Sequence, residues 1–314
     1  MEKGLTNLEY FEKLSFQSLL GAWILFCIVL LGCSQHSNDK IHLVGHRGAA
    51  GLMPENTLPA VQKALEYNVT AIEFDVVITG DQKVVVSHEP WFRHDICLTP
   101  EGDTLTEKTQ MEHSIYTMSY DQIKRYDCGR LQHPDLTIPE DSIVSKPLMS
   151  DVIKTVETNA NTNHEATIEY FVEVKSRPGW DDTLQPAPEK TARYIYDELK
   201  KLGVLNKVYL MAFDERMLKV FHSIDPGVSL VYLTGSSWDE SSKEMKKFNF
   251  TPEIYAPNHS RVDSVMVRKA HEKGMEVVPW TVNDYAKMVG LLEEGVDGII
   301  SDYPNYFEKL KKEM

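Results

Sequence analysis

The chain has 314 residues, 42% of them hydrophobic and 25% charged, an ordinary globular balance that suits one large α/β domain or two modest ones. Its formal charge of −14 and pI near 5.3, with no Lys/Arg stripe, argue against nucleic acid as a partner. A small anionic substrate would need a metal ion or a few placed cations to hold it.

Leu19 to Gly32 form an apolar run of 14 residues, short for a bilayer span and the right length for a signal-peptide core. The run ends in Leu30-Leu31-Gly32-Cys33, which resembles a bacterial lipobox. Residues 1–33 are therefore predicted to be a lipoprotein-type signal peptide with Cys33 lipidated, and 34–40 a polar tether. The expected location is the bacterial cell envelope, periplasm or outer membrane, with the membrane as partner through the lipid anchor. A plain secretory signal or an uncleaved anchor is the alternative, and Glu2, Glu9 and Glu12 beside Lys3 and Lys13 leave the n-region without clear positive charge. With Cys27 removed and Cys33 lipidated, Cys97 and Cys128 remain, either as a bridge within one segment or as two free thiols.

Nine short runs rich in Val, Ile, Tyr and Phe read as strands: 41–46, 71–78, 83–88, 168–175, 207–213, 228–234, 253–257, 276–281 and 297–301. Helical spacing occupies Leu58–Tyr67, Leu148–Thr158, Glu189–Leu202, Glu215–Ser223, Val262–Lys273 and Tyr285–Glu294, with Thr57 as a candidate cap for the first. This alternation predicts a parallel sheet with crossover helices. Only Thr79-Gly80-Asp81-Gln82 separates the second and third runs, too little for a parallel crossover, so they are read as an antiparallel hairpin. Setting that hairpin aside leaves eight parallel strands, the number that closes a (β/α)8 TIM barrel, here over 41–308. With Gly80-Asp81 at the turn centre, His88 is expected directly opposite Glu73. Residues 91–147 lack a barrel unit and are predicted to be a small insertion subdomain, with Trp91, Phe92, Ile96, Tyr116, Ile123, Tyr126 and Leu136 as its core.

Glu73 and Asp75 stand two apart on a strand and share a face; Glu173 and Lys175 repeat the pattern on the next barrel strand. Three carboxylates converging at a barrel mouth would raise one another's pKa unless a cation sits between them. Oxygen-only ligation by Glu73, Asp75 and Glu173 suits a hard divalent cation, Mg²⁺ or Ca²⁺, the bland alternative being salt bridges to Arg47 and Lys175. His46 and His88 are candidates for general base and general acid on a phosphodiester, one taking a proton from the nucleophile and the other protonating the leaving alkoxide. Arg47 can fork onto a phosphate, and Lys175 supplies a point charge. Trp280 and Phe213, each at a strand end, are candidates for an apolar wall against the alcohol chain.

Taken in order over about residues 42–304, the segments His46-Arg47-Gly48, Pro54-Glu55-Asn56-Thr57, Glu73-Phe74-Asp75-Val76, Val86-Ser87-His88, Glu173-Val174-Lys175, Trp280-Thr281-Val282-Asn283 and Asp297 to Pro304 together resemble the glycerophosphodiester phosphodiesterase family. The resemblance implies a (β/α)8 barrel and hydrolysis of glycerophosphodiesters to an alcohol and glycerol 3-phosphate with a divalent cation. It places His46 and His88 as the acid/base pair, Glu73, Asp75 and Glu173 as metal ligands, and Arg47 and Lys175 on the phosphate. The chain departs from the pattern at Glu89, where the family has Asp, at Ala212-Phe213, and at Ser145-Lys146-Pro147-Leu148. Two alternatives stand beside this reading. One is a catalytically silent, lipid-anchored binding protein on the same barrel; the other is a transition-metal hydrolase, which would want a His-rich shell.

Overall fold

The computed structural model describes residues 41–131, 133–136, 143–163 and 167–313, so the expected signal peptide, Cys33 and the tether lie outside the described residues. Eight parallel strands run β1 (His42–Gly45), β2 (Ala71–Ile78), β4 (Glu169–Val174), β5 (Val208–Ala212), β6 (Ser229–Thr234), β7 (Ile254–Pro257), β8 (Glu276–Val277) and β9 (Gly298–Ser301). They neighbour one another in the order β8-β7-β6-β5-β4-β2-β1-β9. Between β8 and β9 the ring is drawn together by Asp297 N to Val277 O at 2.9 Å, Ile300 N to Pro279 O at 3.0 Å and Val282 N to Ile300 O at 2.9 Å. The expected strand 276–281 shortens to two residues because Pro279 has no N–H to give a ladder. This is the predicted α/β barrel.

Strand parity divides the core into two shells. Ile72, Phe74, Val76 and Ile78 of β2 and Tyr170, Val172 and Val174 of β4 face the surrounding helices. Ala71 and Phe171 face inward with Val44, Met211, Val231, Leu233, Ile254, Ala256, Val278 and Ile300. Glu73, Asp75 and Glu173 have the inward parity, and all three are buried. Helices α1 (Leu58–Ala64), α3 (Met149–Asn163), α4 (Pro188–Leu202), α5 (Glu215–Ile224), α6 (Trp238–Met245), α7 (Ser264–His271), α8 (Tyr285–Glu293) and α9 (Phe307–Glu313) supply the outer layer. Thr57 caps α1 as expected, its side chain accepting from Ala60 N. Helix α6 was not among the predicted segments; its sequence is mostly polar, and a capping box between Ser237 and Glu240 starts it.

The hairpin forms, but its register corrects the sequence reading. β3 (Val84–Val86) pairs antiparallel with β2 as Val76↔Val86, Val77↔Val85 and Ile78↔Val84, so the position opposite Glu73 is not His88. The turn has three residues, not two: Thr79 N bonds Lys83 O at 3.0 Å and Gln82 N bonds Thr79 O at 3.0 Å. Gln82 takes the left-handed conformation at φ 64°, as a three-residue hairpin loop requires. His88 lies past the end of β3 on a bend, and the chain direction there, not the ladder, carries it to the barrel mouth.

Between β3 and α3 the chain makes short 3₁₀ turns and one further helical turn, α2 (Tyr120–Ile123). Phe92, Ile96, Cys97, Leu105, Ile115, Ile123, Tyr126 and Cys128 form their own apolar cluster against Val77 and Val85 of the hairpin. Trp91, Tyr116 and Leu136, expected in that core, are half-buried. Trp91 sits edge-on to Trp180 at 5.8 Å, while Phe92 and Tyr126 stack at 3.7 Å. Cys97 and Cys128 are joined by a disulfide across 31 residues. A loop of that length stabilises by about 3.7 kcal/mol in chain-entropy terms. Cys97→Ser/Cys128→Ser is therefore expected to unfold at lower denaturant, with the wild type matching it only under reductant; coincident curves for the oxidised wild type and the double variant would refute this.

Candidate active site

The chain leaves β1 through a loop built to crowd polar groups together. Arg47 takes φ 48° and Gly48 φ 82°, and a Cβ on Gly48 would come 2.6 Å from the Ala60 carbonyl carbon. Only glycine fits there. The loop is pinned to β2 by Arg47 N donating to Glu73 Oε2 at 2.7 Å and Gly48 N to Glu73 O at 3.1 Å.

His46, Arg47, Glu73, His88, Glu173 and Lys175 line one pocket at the C-terminal ends of the strands, walled on the other side by Met211, Phe213, Leu233, Trp280, Thr281 and Ile300. Asp75 is the single predicted metal ligand that does not line it, and it is wholly buried. Glu73, Asp75 and Glu173 nonetheless offer carboxylate oxygens all within 4.8 Å of one another. Asp75 is held by Asn56, whose Nδ2 donates to Oδ2 at 2.8 Å and whose Oδ1 accepts from Asp75 N at 3.2 Å. Lys175 Nζ bridges Glu173 Oε1 at 2.5 Å and Asp75 Oδ1 at 3.3 Å.

The electrostatics of this cluster are unequal. Burial pushes the Glu73 carboxyl up, and neighbouring Asp75 and Glu173 add to it, to about 8. Burial acts on Asp75 too, but Lys175, His88 and Arg47 outweigh it and hold that carboxyl below its usual range. Burial would lower Lys175, yet Glu173 and Asp75 raise it to about 12. Salt bridges reach Asp75 and Glu173 through the one Lys175, while among the described residues no lysine or arginine bridges Glu73; its Oε1, like Asp75 Oδ1, is buried with no hydrogen-bond partner. A buried orphan oxygen facing two more carboxylates is the donor set a hard dication takes.

Each histidine is gripped on Nδ1 by a carboxylate. His46 Nδ1 lies 2.6 Å from Asp302 Oδ1, and its Nε2 lies 3.8 Å from Glu73 Oε2. Asp302 is fixed in turn by Asn283, which donates from Nδ2 at 2.6 Å and accepts from Asp302 N at 3.0 Å. Burial would lower the His46 imidazole, but Asp302 and then Glu73 overcome it and raise it. His88 Nδ1 is 2.6 Å from Glu89 Oε1.

The sequence pattern of the glycerophosphoryl diester phosphodiesterase family matches residues 46–306. The chain belongs to that family. Among its relatives is a glycerophosphodiester phosphodiesterase of Bacillus subtilis (strain 168), 26% identical over 287 residues and covering 88% of each chain. An Oleispira antarctica phosphodiesterase solved with the product sn-glycerol-3-phosphate shares the fold at a TM-score of 0.67 and 20% identity, over 87% of this chain and 98% of its own. A glycerophosphodiester phosphodiesterase from Parabacteroides distasonis does so at a TM-score of 0.62 and 21% identity, over 87% and 98%.

Within this family member the apolar half of the pocket is made by the two predicted aromatics. Phe213 stands edge-on to Trp280 with ring centres 5.3 Å apart, and Trp280 is locked by Nε1 donating to Ala256 O at 2.9 Å. Phe213 stays 45% exposed, leaving its face open at the rim. The sequence reading gave no role to Asp302, Asn283, Glu55, Asn56 or Glu89. All five fall in or beside the quoted motifs, and Asp302 directly follows a strand end, which was the available signal.

Proposed function

We propose that this protein hydrolyses glycerophosphodiesters to an alcohol and glycerol 3-phosphate. The observation that carries the reading is the convergence at one pocket of two carboxylate-gripped histidines, two cations and an acidic cluster holding buried oxygens without hydrogen-bond partners. Glu73, Asp75 and Glu173 would hold the divalent cation, Mg²⁺ or Ca²⁺, whose chemistry there is to offset charge building on the phosphoryl oxygens. Arg47 and Lys175, both beside Asp75, bind and orient the phosphate. His46 and His88 divide the proton work: one Nε2 takes the proton of the attacking hydroxyl or water, the other delivers a proton to the departing alkoxide. With each Nδ1 committed to a carboxylate, the Nε2 atoms are the ones left for this. Trp280 and Phe213 pack against the carbon chain of the alcohol or glycerol and keep water off it.

A silent binding barrel would have no use for two imidazoles each held in one orientation. We further propose, on the N-terminal sequence, that the enzyme is exported and anchored to the cell envelope through Cys33. The test is phosphate released from glycerophosphocholine in the presence of an added phosphomonoesterase. Turnover is expected with Mg²⁺ or Ca²⁺ and its loss with EDTA, restored by excess cation. Turnover indifferent to EDTA would remove the cation, and no turnover on any glycerophosphodiester would remove the activity.

A further inference from the structure

Arg47 does not aim itself. Its guanidinium has a hydrogen bond from Nη1 to Glu55 Oε2 at 2.6 Å, while its buried Nε, 3.5 Å from Asp75 Oδ2, makes none. The direction of the remaining guanidinium edge, the part that can meet a phosphate, therefore depends on where Glu55 stands. Glu55 lies in the turn before α1 with its side chain only 6% exposed.

What holds Glu55 comes from far along the chain. His133 Nε2 is 3.5 Å from Glu55 Oε2, and Arg93 Nη1 is 4.0 Å from Oε1. Arg93 is itself fixed by Asp95, with Nε to Oδ1 at 2.9 Å and Nη2 to Oδ2 at 2.5 Å. Its carbonyl accepts from Cys97 N at 3.0 Å, beside the disulfide to Cys128. Buried Lys146 adds positive field on the same carboxylate. A lone Arg–carboxylate pair tends to close as a two-bond fork. Here the fork is split: Oε2 serves Arg47 and Oε1 faces Arg93, so the carboxylate is shared between the barrel and residues 91–147.

We propose that Glu55 is a positioning residue and that residues 91–147, through Arg93 and His133, set how the Arg47 guanidinium meets the phosphate. This rests on the reading of Arg47 as a phosphate contact. It makes the segment a determinant of substrate affinity without contact to substrate, acting chiefly on KM, with a smaller effect through the His88 charge that Glu55 also feels.

The experiment is a double-variant cycle read by two methods, calorimetric binding of inorganic phosphate with Mg²⁺ present and Michaelis kinetics on glycerophosphocholine. Glu55→Gln is expected to weaken phosphate binding and raise KM about tenfold or more, with kcat within about threefold. In the Arg47→Ala background the same change is expected to have under about a twofold effect, because its only route to the phosphate is gone. Arg93→Gln is expected to reproduce a weaker form of the same pattern, about threefold, and to carry the cycle if Glu55→Gln does not fold. Additive effects in an enzyme that turns over the diester would overturn the positioning role and leave the hydrolase standing. Arg93→Gln with unchanged phosphate affinity would overturn the role of residues 91–147. Phosphate binding with a non-additive cycle but no diester turnover would sink the hydrolase and support the positioning, whereas absent phosphate binding in an enzyme that turns over the diester would overturn the positioning and leave the hydrolase standing.

Discussion

Glu73→Gln is expected to abolish the response of the protein to divalent cations and to cost about a thousandfold in turnover, the several kcal/mol that cation-borne charge stabilisation supplies. The substitution is close to isosteric, and a glutamine oxygen can still accept from Arg47 N, the bond of 2.7 Å that pins the loop after β1. Folding should survive it. Of the three clustered carboxylates, Asp75 and Glu173 share Lys175 and Asp75 also has Arg47 at 3.5 Å, whereas Glu73 faces the His46 imidazole at 3.8 Å and keeps a buried Oε1 with no hydrogen-bond partner. Without a bound cation, burial raises its carboxyl from the ordinary 4.5 to about 8. Between those values the folded chain keeps a proton that the unfolded chain has released. Stability of the cation-free wild type should therefore fall as pH rises through that window. Added Mg²⁺ or Ca²⁺ should raise the melting temperature more at pH 8.5 than at pH 6, since at the lower pH it must displace the proton. Melts of wild type and variant across this range, with EDTA or cation, check the claim. A wild type whose melting ignores both cations at pH 8.5, or a variant that keeps the cation-dependent gain, would defeat it.

The barrel was legible because its strands are nearly continuous runs of Val, Ile, Leu and Tyr, and because parity along such a strand is rigid. Standing two apart on one strand, Glu73 and Asp75 had to share a face, and the structure brings them together with Glu173 on the side away from Phe74 and Val172. Register within the hairpin was not legible to one residue. That depended on Gln82 accepting a left-handed backbone, a choice that a side chain other than Gly or Asn does not announce. His88 still arrives at the site, by a bend after β3 that no periodicity encodes. Helix α6 escaped because WDESSKEM offers few apolar positions to repeat; its start signal, Ser237 with Glu240, is local and easily passed over. The partners of the histidines and of Arg47 were hidden for another reason. Asp302 lies 256 residues from His46, and the disulfide-linked stretch behind Arg93 and His133 meets Glu55 only in three dimensions.

Asp302→Asn is expected to lower kcat by about a thousandfold or more with little change in KM, the magnitude seen when a histidine loses the carboxylate that fixes its tautomer. Asn283 holds Asp302 from two directions, so an asparagine there should keep the position of the carboxylate it replaces. What changes is the chemistry offered to His46 Nδ1. A carboxylate only accepts, so Nδ1 must carry a proton and Nε2 is free to exchange one; an amide can donate, which permits the opposite tautomer and blocks Nε2. Burial works against the imidazolium at this site, and the Asp302 and Glu73 charges overcome it. Removing Asp302's charge should therefore move the His46 titration downward. Because a raised imidazole pKa stabilises the fold below the unfolded value of about 6.5 and loses that contribution as pH climbs through the folded value, the variant's stability deficit should shrink at alkaline pH, leaving the part that Asn283 and Arg47 contribute by favouring the Asp302 carboxylate. Histidine ring proton shifts followed by NMR against pH, together with kcat and KM, read both effects. A variant within about threefold of wild-type kcat would show that Asp302 is structural. An unmoved His46 titration would show that Glu73 alone sets it. Glu89→Gln poses the same question at His88, where the partner side chain is 20% exposed against 11% for Asp302. With water able to replace part of that bond, the loss there should be the smaller of the two.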